Sequence, residues 1–271
     1  MLRFGVSRGH GTPQLVESAR RFAELLAGRL GRPARVVMTD DYDHLLQGMV
    51  VGGVDLGWLP PLVHARLTPS GAVLAAVSER SGAVTYRSAL LTRADAEYLN
   101  ARALRGVRAA WSDRSSAAGY LFPYLHLVGL GLDAARDFTD ETFFGSATAA
   151  CAAVADGRAD VCACFVTEAA APDGVLDRER ALADAARVYP AASWRLRVLD
   201  VTDSIPPDGV VIGAHVDGAL QARLRDALLE LHKREDGAAA LAALMQADRL
   251  APVTENVRKT IARLLARVAA R

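Results

Sequence analysis

Short apolar runs alternate along the chain with segments in which apolar residues recur at helical spacing. The runs Leu2 to Val6, Ala34 to Met38 and Val54 to Leu59 have the length of strands. Segments 13–30 and 42–50 each carry one apolar stripe with a period of about 3.6 residues. The pattern therefore predicts a strand–helix–strand–helix–strand unit at the start of the chain.

The same order of elements returns in the middle of the chain. Val107 to Trp111 and Asp160 to Phe165 are predicted strands, and helices are predicted from Gly119 to Leu130 and from Thr148 to Asp156. Three residues of the first cycle have a counterpart of the same type 105 positions later: Ser7 with Ser112, Gly52 with Gly157, and Asp55 with Asp160. Matches in one register predict two similar α/β lobes, each with its own sheet.

The remaining pattern predicts strands at 72–77, 86–92, 195–201 and 209–212 and helices at 94–100, 217–234, 236–246 and 254–270. We interpret Leu91 to Arg93 and Thr202 to Pro206 as two crossings between the lobes. The first lobe is then discontinuous, 1–91 plus 206–271, and the second lobe, 92–205, is inserted into it. Two crossings of this kind form a hinge that permits closure on a ligand.

The composition and charge of the chain indicate what kind of ligand it binds. The chain has 271 residues, 51% of them hydrophobic, and its 32 basic and 31 acidic residues nearly cancel. Neither nucleic acid nor an anionic membrane is therefore expected, and a small molecule is favoured. Cys151, Cys162 and Cys164 have no histidine or further cysteine at ligand spacing, so we interpret them as core residues rather than as a metal or redox site.

No stretch of the sequence is typical of an export signal or a membrane span. The chain begins with Met-Leu-Arg-Phe-Gly-Val, a predicted strand without a charged and then apolar leader. No apolar run approaches the roughly 18 residues that cross a bilayer. As written, the sequence predicts a cytoplasmic protein, and a periplasmic or cell-surface protein if a leader has been trimmed.

The stretch between the predicted strand and the helix that begins at Gly119 is small and rich in hydroxyl groups. It reads Ser-Asp-Arg-Ser-Ser-Ala-Ala, residues 112–118. A turn that leads into a helix N-terminus presents unpaired N–H groups and the positive end of the helix dipole to an anion. The hydroxyl groups of Ser115 and Ser116 could add donors, or the turn could be an ordinary serine N-cap.

Ligands of open α/β sheets lie beyond the carboxyl ends of the strands. Four segments fall at such ends: Ser7–Thr12, Trp58–Pro61, Ser112–Ala118 and Phe165–Glu168. Trp58 could line the cleft or fill the core beneath it, and Arg8 and His10 could approach an anion or be solvated. Because no acid, base and nucleophile lie at catalytic spacing, neither a catalytic residue nor a metal site is predicted.

Eight motifs, spread over about residues 2 to 250, together resemble one protein family. They are Leu2-Arg-Phe-Gly-Val6, Asp41-Tyr42 with Leu45-Leu46 and Met49, Gly53-Val-Asp-Leu-Gly-Trp-Leu-Pro60, Tyr86-Arg-Ser88, Leu104-Arg-Gly106, Asp113-x-x-Ser116-x-x-Gly119-Tyr120, Phe144-Gly-Ser146 and Ile205-Pro-Pro-Asp208. The chain resembles the phosphate, phosphite and phosphonate substrate-binding proteins of ABC transporters, a branch of the type 2 periplasmic-binding-protein fold. The resemblance implies an α/β protein with two lobes, each a mixed sheet flanked by helices, joined by a two-strand hinge.

The resemblance also implies which residues hold the ligand. In the family a serine-rich turn binds a tetrahedral anion and aromatic residues of the first lobe close over it. Those positions are here the turn at Ser115 and Ser116, with the N–H groups of residues 117–119, and the tyrosines Tyr42 and Tyr86. The complete predicted ligand site is Ser7, Arg8, His10, Tyr42, Trp58, Tyr86, Ser115, Ser116, Ala117, Ala118 and Ser146.

Two positions depart from the family pattern. The family commonly reads Ser-x-Ser-Gly where this chain has Ser116-Ala-Ala118-Gly119, and Gly-Ser-His where it has Gly145-Ser-Ala147. One hydroxyl donor and one imidazole donor are missing, and each is worth about 1.5 to 3 kcal/mol toward a charged oxygen. We therefore expect weak phosphonate binding, unless Arg114, Arg8 or His10 restores positive charge.

The sequence thus predicts a non-catalytic solute-binding protein that traps a small anionic ligand between two lobes. The ligand is expected to be a phosphonate, a phosphate or another oxyanion-bearing metabolite, and no cofactor is expected. A transporter permease or a regulatory protein is the predicted partner. The alternative is a cytoplasmic enzyme or a ligand-sensing regulator on the same fold.

Overall fold

The computed structural model describes residues 1–8 and 14–269. The chain forms two compact units: the discontinuous unit, Met1–Val84 with Pro206–Arg271, and the inserted unit, Thr85–Ile205. Each unit contains a mixed β-sheet with helices packed on both of its faces. The predicted α/β class, with a flanked mixed sheet in each half, is confirmed.

The strands, in chain order, are β1 Leu2–Ser7, β2 Ala34–Thr39, β3 Leu56–Leu59, β4 Val73–Glu79, β5 Tyr86–Arg93, β6 Arg108–Trp111, β7 Asp140–Phe143, β8 Val161–Thr167, β9 Leu196–Val201, β10 Gly209–Ile212 and β11 Arg249–Ala251. The α-helices are α1 Leu15–Leu30, α2 Tyr42–Val50, α3 Pro61–Leu67, α4 Phe122–Gly129, α5 Ala134–Asp137, α6 Ala147–Ala155, α7 Arg178–Val188, α8 Ala192–Arg195, α9 Gly218–Glu230, α10 Glu235–Met245 and α11 Glu255–Ala269. One π-helical turn, Ala117–Leu121, leads directly into α4.

The sheet of the discontinuous unit has the order β11-β4-β10-β3-β1-β2. β1 pairs in parallel with β2 and β3, whereas β10 runs antiparallel to both β3 and β4. Helices α1, α9 and α10 cover one face, where Phe4, Phe22 and Leu241 are buried. Helices α2 and α3 cover the other face around Leu45 and Val63. The apolar stripes read from the sequence are the surfaces that these helices bury.

The sheet of the inserted unit has the order β7-β6-β8-β5-β9. β6 is parallel to β7 and β8, and β5 is antiparallel to β8 and β9. Helices α6 and α7 cover one face, and α4 covers the other around Trp111 and Leu127. Cys151, Cys162 and Cys164 are fully buried on the α6 side, as predicted for core residues.

The two units repeat one internal arrangement. The Arg3 guanidinium and backbone N–H donate to the Asp55 carboxylate, with Nε to Oδ2 at 3.0 Å. Arg108 makes the same three bonds with Asp160, and Nε to Oδ2 is again 3.0 Å. Both residues of the pair recur 105 positions later, as do both ends of α2 in α6. The internal repeat predicted from the sequence is therefore present in the structure.

Several elements differ from the sequence-based expectation, which did not include β7, β11, α5, α7 or α8. Helix α3, which was not predicted either, begins at Pro61 directly after β3, because a proline in the first turn of a helix loses no hydrogen bond. The helix expected at 94–100 does not form. The Arg197 guanidinium donates to the carbonyl oxygens of Ala96, at 2.8 Å, and of Tyr98, so these carbonyls bond to a side chain instead of to a helical turn.

The chain enters the inserted unit before β5 rather than within it. The crossing expected at Leu91 to Arg93 lies inside β5, which pairs with β8 and β9 along its length. The first boundary is at Val84–Thr85, so Tyr86 to Leu91 belong to the inserted unit and not to the first lobe. The second boundary follows Ile205, within the expected crossing. The action of the two crossings as a hinge stays a prediction.

A buried polar network joins Asp208, the residue before β10, to β3 and to the end of β4. The Asp208 carboxylate accepts hydrogen bonds from the Ser78 hydroxyl, at 2.9 Å, and from the Trp58 indole N–H. It also pairs with the Arg80 guanidinium at 3.0 Å, and both charged side chains are buried. Burying a charge is costly unless the charge is paired and hydrogen-bonded, so the arginine depends on this carboxylate.

We expect Asp208→Asn to lower the free energy of unfolding by about 3 kcal/mol, because the buried Arg80 charge loses its counter-charge. Urea denaturation followed by circular dichroism measures the change. Asp226→Asn, at an exposed position of α9, is the control and should shift stability by less than about 0.5 kcal/mol. Equal stabilities of the two variants would contradict the role given to Asp208.

His64 gives the protein a predictable acid sensitivity. The side chain is buried in α3, and burial lowers its pKa to about 4, although hydrogen bonding to the Pro207 carbonyl opposes that shift. An unfolded histidine has a pKa of about 6.5, so the unfolded chain takes up the proton first. Stability should therefore fall as the pH drops from about 6.5 toward 4, by at most about 3 kcal/mol.

His64→Gln should flatten that part of the stability profile, since glutamine does not titrate. The measurement is urea denaturation of both proteins at several pH values in the window from about pH 7 to about pH 4.5. If both proteins lose the same stability across the window, other groups carry the acid sensitivity and this prediction is wrong.

Candidate functional site

The carboxyl ends of three parallel strands meet at one edge of the inserted unit's sheet. β6, β7 and β8 end there at Trp111, Phe143 and Thr167. Antiparallel β5 begins there, since Tyr86 pairs with Thr167. The serine-rich turn 112–119 and the start of α6 follow two of these strand ends. This is the edge at which α/β sheets hold ligands.

Hydrogen bonds within the serine-rich turn decide which donors stay available. The Asp113 carboxylate accepts from the Ser115 N–H at 2.7 Å, and the Ser116 hydroxyl oxygen accepts from the Gly119 N–H at 3.0 Å. Within the described residues, the N–H groups of Ala117 and Ala118 have no acceptor. Of the three amides from residue 117 to 119, Ala117 and Ala118 are therefore open and Gly119 is not. The Ser115 and Ser116 hydroxyl groups can still donate.

The turn enters its helix through one wide turn. The Leu121 N–H donates to the Ser116 carbonyl at 3.0 Å, five residues back, which is the spacing of a π-helix. Single π-turns of this kind are frequent at functional sites. The Ser88 hydroxyl on β5 donates to the Ala118 carbonyl at 2.6 Å. The backbone that would surround an anion is thus held from the sheet below.

Gly119 is required by the packing of the turn. A Cβ atom at this position would lie 1.8 Å from the Ser112 hydroxyl oxygen and 2.7 Å from the Ser112 Cβ. The Ser112 N–H donates to the Gly119 carbonyl at 3.1 Å, so the two ends of the turn touch. The Ser112 hydroxyl oxygen is buried and has no hydrogen-bond partner in the described part of the chain.

A second helix N-terminus lies beside the turn. The Gly145 N–H donates to the Ser112 carbonyl at 2.7 Å, which ties the end of β7 to the end of β6. Ser146 follows as the N-cap of α6, where its hydroxyl oxygen accepts from the Ala149 N–H at 3.2 Å. Two positive helix ends therefore converge at this edge, and both are capped by neutral serines.

The equivalent helix of the discontinuous unit, α2, has a charged N-cap instead of a neutral one. Asp41, 105 positions before Ser146, caps α2. Its carboxylate accepts from the His44 N–H at 2.8 Å, and this bond together with the nearby imidazole lowers the Asp41 pKa. The α2 terminus thus already has a bound negative charge. The α6 terminus has none, and an external anion would be attracted to it.

Charged side chains also occupy the edge of the inserted unit. The Glu168 carboxylate pairs with the Arg87 guanidinium at 2.8 Å and accepts from the Ser204 hydroxyl at 2.6 Å. Its other oxygen, Oε2, is buried and has no hydrogen-bond partner among the residues described. Arg114, within the turn itself, lies over the Phe143 ring at 4.3 Å from its centroid.

Three predicted ligand residues of the discontinuous unit lie at the carboxyl edge of its sheet. Ser7 ends β1 and is buried, whereas Arg8 is exposed and lies 3.6 Å from Asp40. Tyr42 is the first residue of α2, and its side chain is almost fully buried in the cluster that also contains Leu45. His10 lies outside the described residues.

The predicted ligand residues Trp58 and Tyr86 both contact other side chains of the protein. Trp58 packs in the core, and its indole N–H donates to Asp208, which is the arrangement of the core-filling alternative. Tyr86 lies in the inserted unit, where its ring packs on Phe165 with centroids 5.3 Å apart. Its assignment to the first lobe is therefore corrected, because β5 belongs to the other sheet.

Three residues that shape the turn are not part of the ligand site predicted from the sequence. Asp113 organises the Ser115 amide, Ser112 fills the space above Gly119, and Ser88 binds the Ala118 carbonyl. The first had a readable signal, since an aspartate two residues before a turn amide is typical of an Asx-turn. Ser88 and Ala118 are 30 positions apart in the sequence, so no local pattern could predict the hydrogen bond between them.

Other site types have little support in the described ranges. No group of three or more histidine, cysteine or acidic residues among 1–8 and 14–269 has the geometry of a metal site. None of the helices described there is long and apolar enough to cross a bilayer.

Sequence comparison finds a matching family and curated relatives. The model of a family described as the periplasmic substrate-binding protein of phosphonate ABC transporters matches residues 4–257. The phosphate-import protein PhnD of Mycolicibacterium smegmatis is 28% identical over 158 residues, which are 53% of this chain and 48% of that protein. The alignment thus spans about half the length of this relative.

Structure comparison yields solved proteins of the same fold. PhnD1 of Prochlorococcus marinus, in complex with methylphosphonate, is 19% identical with a TM-score of 0.78 and coverage of 98% of each chain. XAC2383 of Xanthomonas citri, bound to ATP, is 21% identical with a TM-score of 0.74, covering 98% of this chain and 95% of that one. These likenesses confirm the predicted type 2 periplasmic-binding-protein fold.

We expect Gly119→Ala to distort the turn, because the new Cβ would overlap Ser112. The variant should lose about 1 to 3 kcal/mol of stability from overpacking. Gly129→Ala, in the same helical segment but with no atom within 4 Å of the new Cβ, is the matched control and should keep or raise stability. Differential scanning calorimetry measures both; equal melting temperatures would contradict the tight packing of the turn.

Proposed function

This chain belongs to the family of periplasmic substrate-binding proteins of phosphonate ABC transporters, and from that membership we propose that it captures a small oxyanion-bearing ligand for a transporter. The observation that carries the proposal is the pair of serine-capped helix termini at the carboxyl edge of the inserted unit. The Ala117 and Ala118 amides and the Ser115 and Ser116 hydroxyl groups would bind the oxyanion.

The electrostatics of the edge supports an anion rather than a neutral ligand. Each helix terminus contributes about half a positive charge, and its effect is larger where water is excluded. The N-cap of α6 is the neutral Ser146, whereas the N-cap of α2 is the carboxylate of Asp41. Held backbone amides also need no reorganisation when the ligand arrives.

The remaining predicted contacts form the second part of the proposal. Ser146 would add the α6 terminus, while Tyr42, Tyr86 and Trp58 would contact the rest of the ligand. Ser7, Arg8 and His10 would do so from the first lobe. Trapping of the ligand by closure of the two lobes, docking on a permease and a periplasmic location follow from the family and stay predictions. The protein would bind its ligand without converting it.

The ligand class is inferred from the donors that the edge lacks. Ala118 and Ala147 supply no side-chain donor where the family pattern has serine and histidine. Each missing bond to a charged oxygen is worth about 1.5 to 3 kcal/mol, so phosphonate affinity should be roughly two to four decades below that of a complete site. Phosphate or a larger phosphoryl compound is then as good a candidate as a phosphonate.

Calorimetric titration with phosphate, methylphosphonate, 2-aminoethylphosphonate, sulfate and ATP tests the proposal. At least one of these anions should bind. Ser116→Ala should lower the affinity for that anion roughly 10- to 100-fold, because one hydrogen-bond donor is lost. The fold should lose only about 1 kcal/mol through the lost cap. Asp217→Ala, which removes the N-cap of α9 in the other unit, should cost similar stability and leave binding unchanged.

The reverse substitutions test the ligand class. Ala118→Ser combined with Ala147→His should raise methylphosphonate affinity above that of the unmodified protein, because both restored groups donate to the oxyanion. Phosphorus NMR of the mixture should show the phosphonate chemically unchanged. Undetectable phosphonate binding by the double variant, together with normal ligand binding by Ser116→Ala, would place the ligand away from this turn; a converted phosphonate would favour the enzyme alternative.

A further inference from the structure

Arg114 projects from the serine-rich turn onto an aromatic surface. Its guanidinium lies over the Phe143 ring, 4.3 Å from the centroid. Phe143 ends β7 directly opposite Trp111 in the strand register. The Tyr120 ring packs against Phe143 at 4.9 Å and against Trp111 at 5.7 Å. The arginine therefore rests on a cluster that spans both strand ends of the proposed oxyanion site.

The Arg114 charge is not neutralised within the described residues. No carboxylate lies within ion-pair distance of its guanidinium, although Asp113 is its neighbour in sequence. The Asp113 carboxylate instead accepts from the Ser115 N–H. At the same edge, the Arg87 guanidinium is paired with Glu168 at 2.8 Å. The Arg114 charge, unlike that of Arg87, is therefore available to pair with a ligand.

The stacking geometry leaves the donors of Arg114 usable. A guanidinium that lies over a ring uses its face for the cation–π contact, while its five N–H groups point outward in the plane. The ring also restricts the side chain, so less conformational entropy is lost when an anion binds. A ring-held guanidinium is well suited to donate two parallel hydrogen bonds to one oxyanion.

We propose that Arg114 is the specificity-determining residue of the site: it replaces the neutral donors missing at Ala118 and Ala147 and selects dianionic phosphoryl ligands over monoanions of the same shape. The inference rests on the proposed function. A neutral hydroxyl or amide recognises the shape of a tetrahedral anion, whereas a full positive charge also rewards each additional negative charge on it. Phosphate and methylphosphonate dianions should therefore gain more from Arg114 than methanesulfonate does.

The test compares the unmodified protein with Arg114→Gln by calorimetric titration of phosphate, methylphosphonate and methanesulfonate at slightly alkaline pH. We expect the variant to bind the dianions with an affinity lower by roughly tenfold or more. Its affinity for methanesulfonate should fall much less. The loss should shrink at high salt, because an exposed charge is screened. An unchanged melting temperature would show that the fold is intact.

Arg158→Gln is the matched control. The Arg158 guanidinium lies over the neighbouring ring, Phe144, at 5.4 Å, but it lies 3.9 Å from the Asp156 carboxylate. Its removal should leave anion binding unchanged. Phe143→Leu should lower the affinity for the dianions, but less than Arg114→Gln does, since the ring acts by positioning Arg114. Phe143→Tyr keeps a ring at this position and should bind the dianions like the unmodified protein.

The outcomes separate this inference from the proposed function. If the unmodified protein binds a dianion and Arg114→Gln binds it as tightly, the assignment of Arg114 is wrong while the proposed function stands. The same holds if Arg114→Gln weakens methanesulfonate as much as phosphate, because the residue would then not select charge. Failure of the unmodified protein to bind any of the anions would contradict both.

Discussion

An arginine–aspartate pair ties β1 to the start of β3 in the discontinuous unit and β6 to the start of β8 in the inserted unit, and the arrangement of both units depends on it. Parallel strands separated by a helix have no turn to set their register, and a slip by one residue would reverse the face of every side chain. Arg3 with Asp55 and Arg108 with Asp160 set that register through three hydrogen bonds each. Hydrogen bonds from Arg108 also lower the pKa of the Asp160 carboxyl, so the pair remains charged over the neutral range.

Because the register is the same in both units, the loops at the opposite edge begin at equivalent places, and their chemistry can differ without changing the scaffold. The helix that follows is capped by Asp41 in one unit and by Ser146 in the other. The first terminus has its negative charge built in, and the second leaves the dipole uncompensated. The cap residue at this repeated position therefore decides whether the helix terminus has a negative charge of its own.

The packing of the serine-rich turn explains how its donors are held ready. Gly119 lets the chain close on Ser112, and Ser88 binds the turn from the sheet. The same contacts remove some donors: the Ser115 and Gly119 amides are occupied within the turn. Under the proposed role of Arg114, its guanidinium would then be the strongest single attraction between the turn and an anion. A charged donor makes recognition depend on ligand charge and on salt in a way that hydroxyl groups do not.

The sequence by itself determined the α/β class, the repeat at 105 positions, most element bounds and the serine-rich turn, because periodicity, glycine and proline signals and hydroxyl-rich turns are local properties of the chain. It also indicated the family through short motifs. Only the tertiary structure decided which unit contains Tyr86, that the Trp58 indole donates to Asp208, and which amides of the turn stay open. Each of these depends on strand pairing or on hydrogen bonds between residues distant in sequence. The segment 94–100 shows the same limit: its helical pattern was overridden by Arg197, whose guanidinium reaches the carbonyls from 99 and 101 positions away.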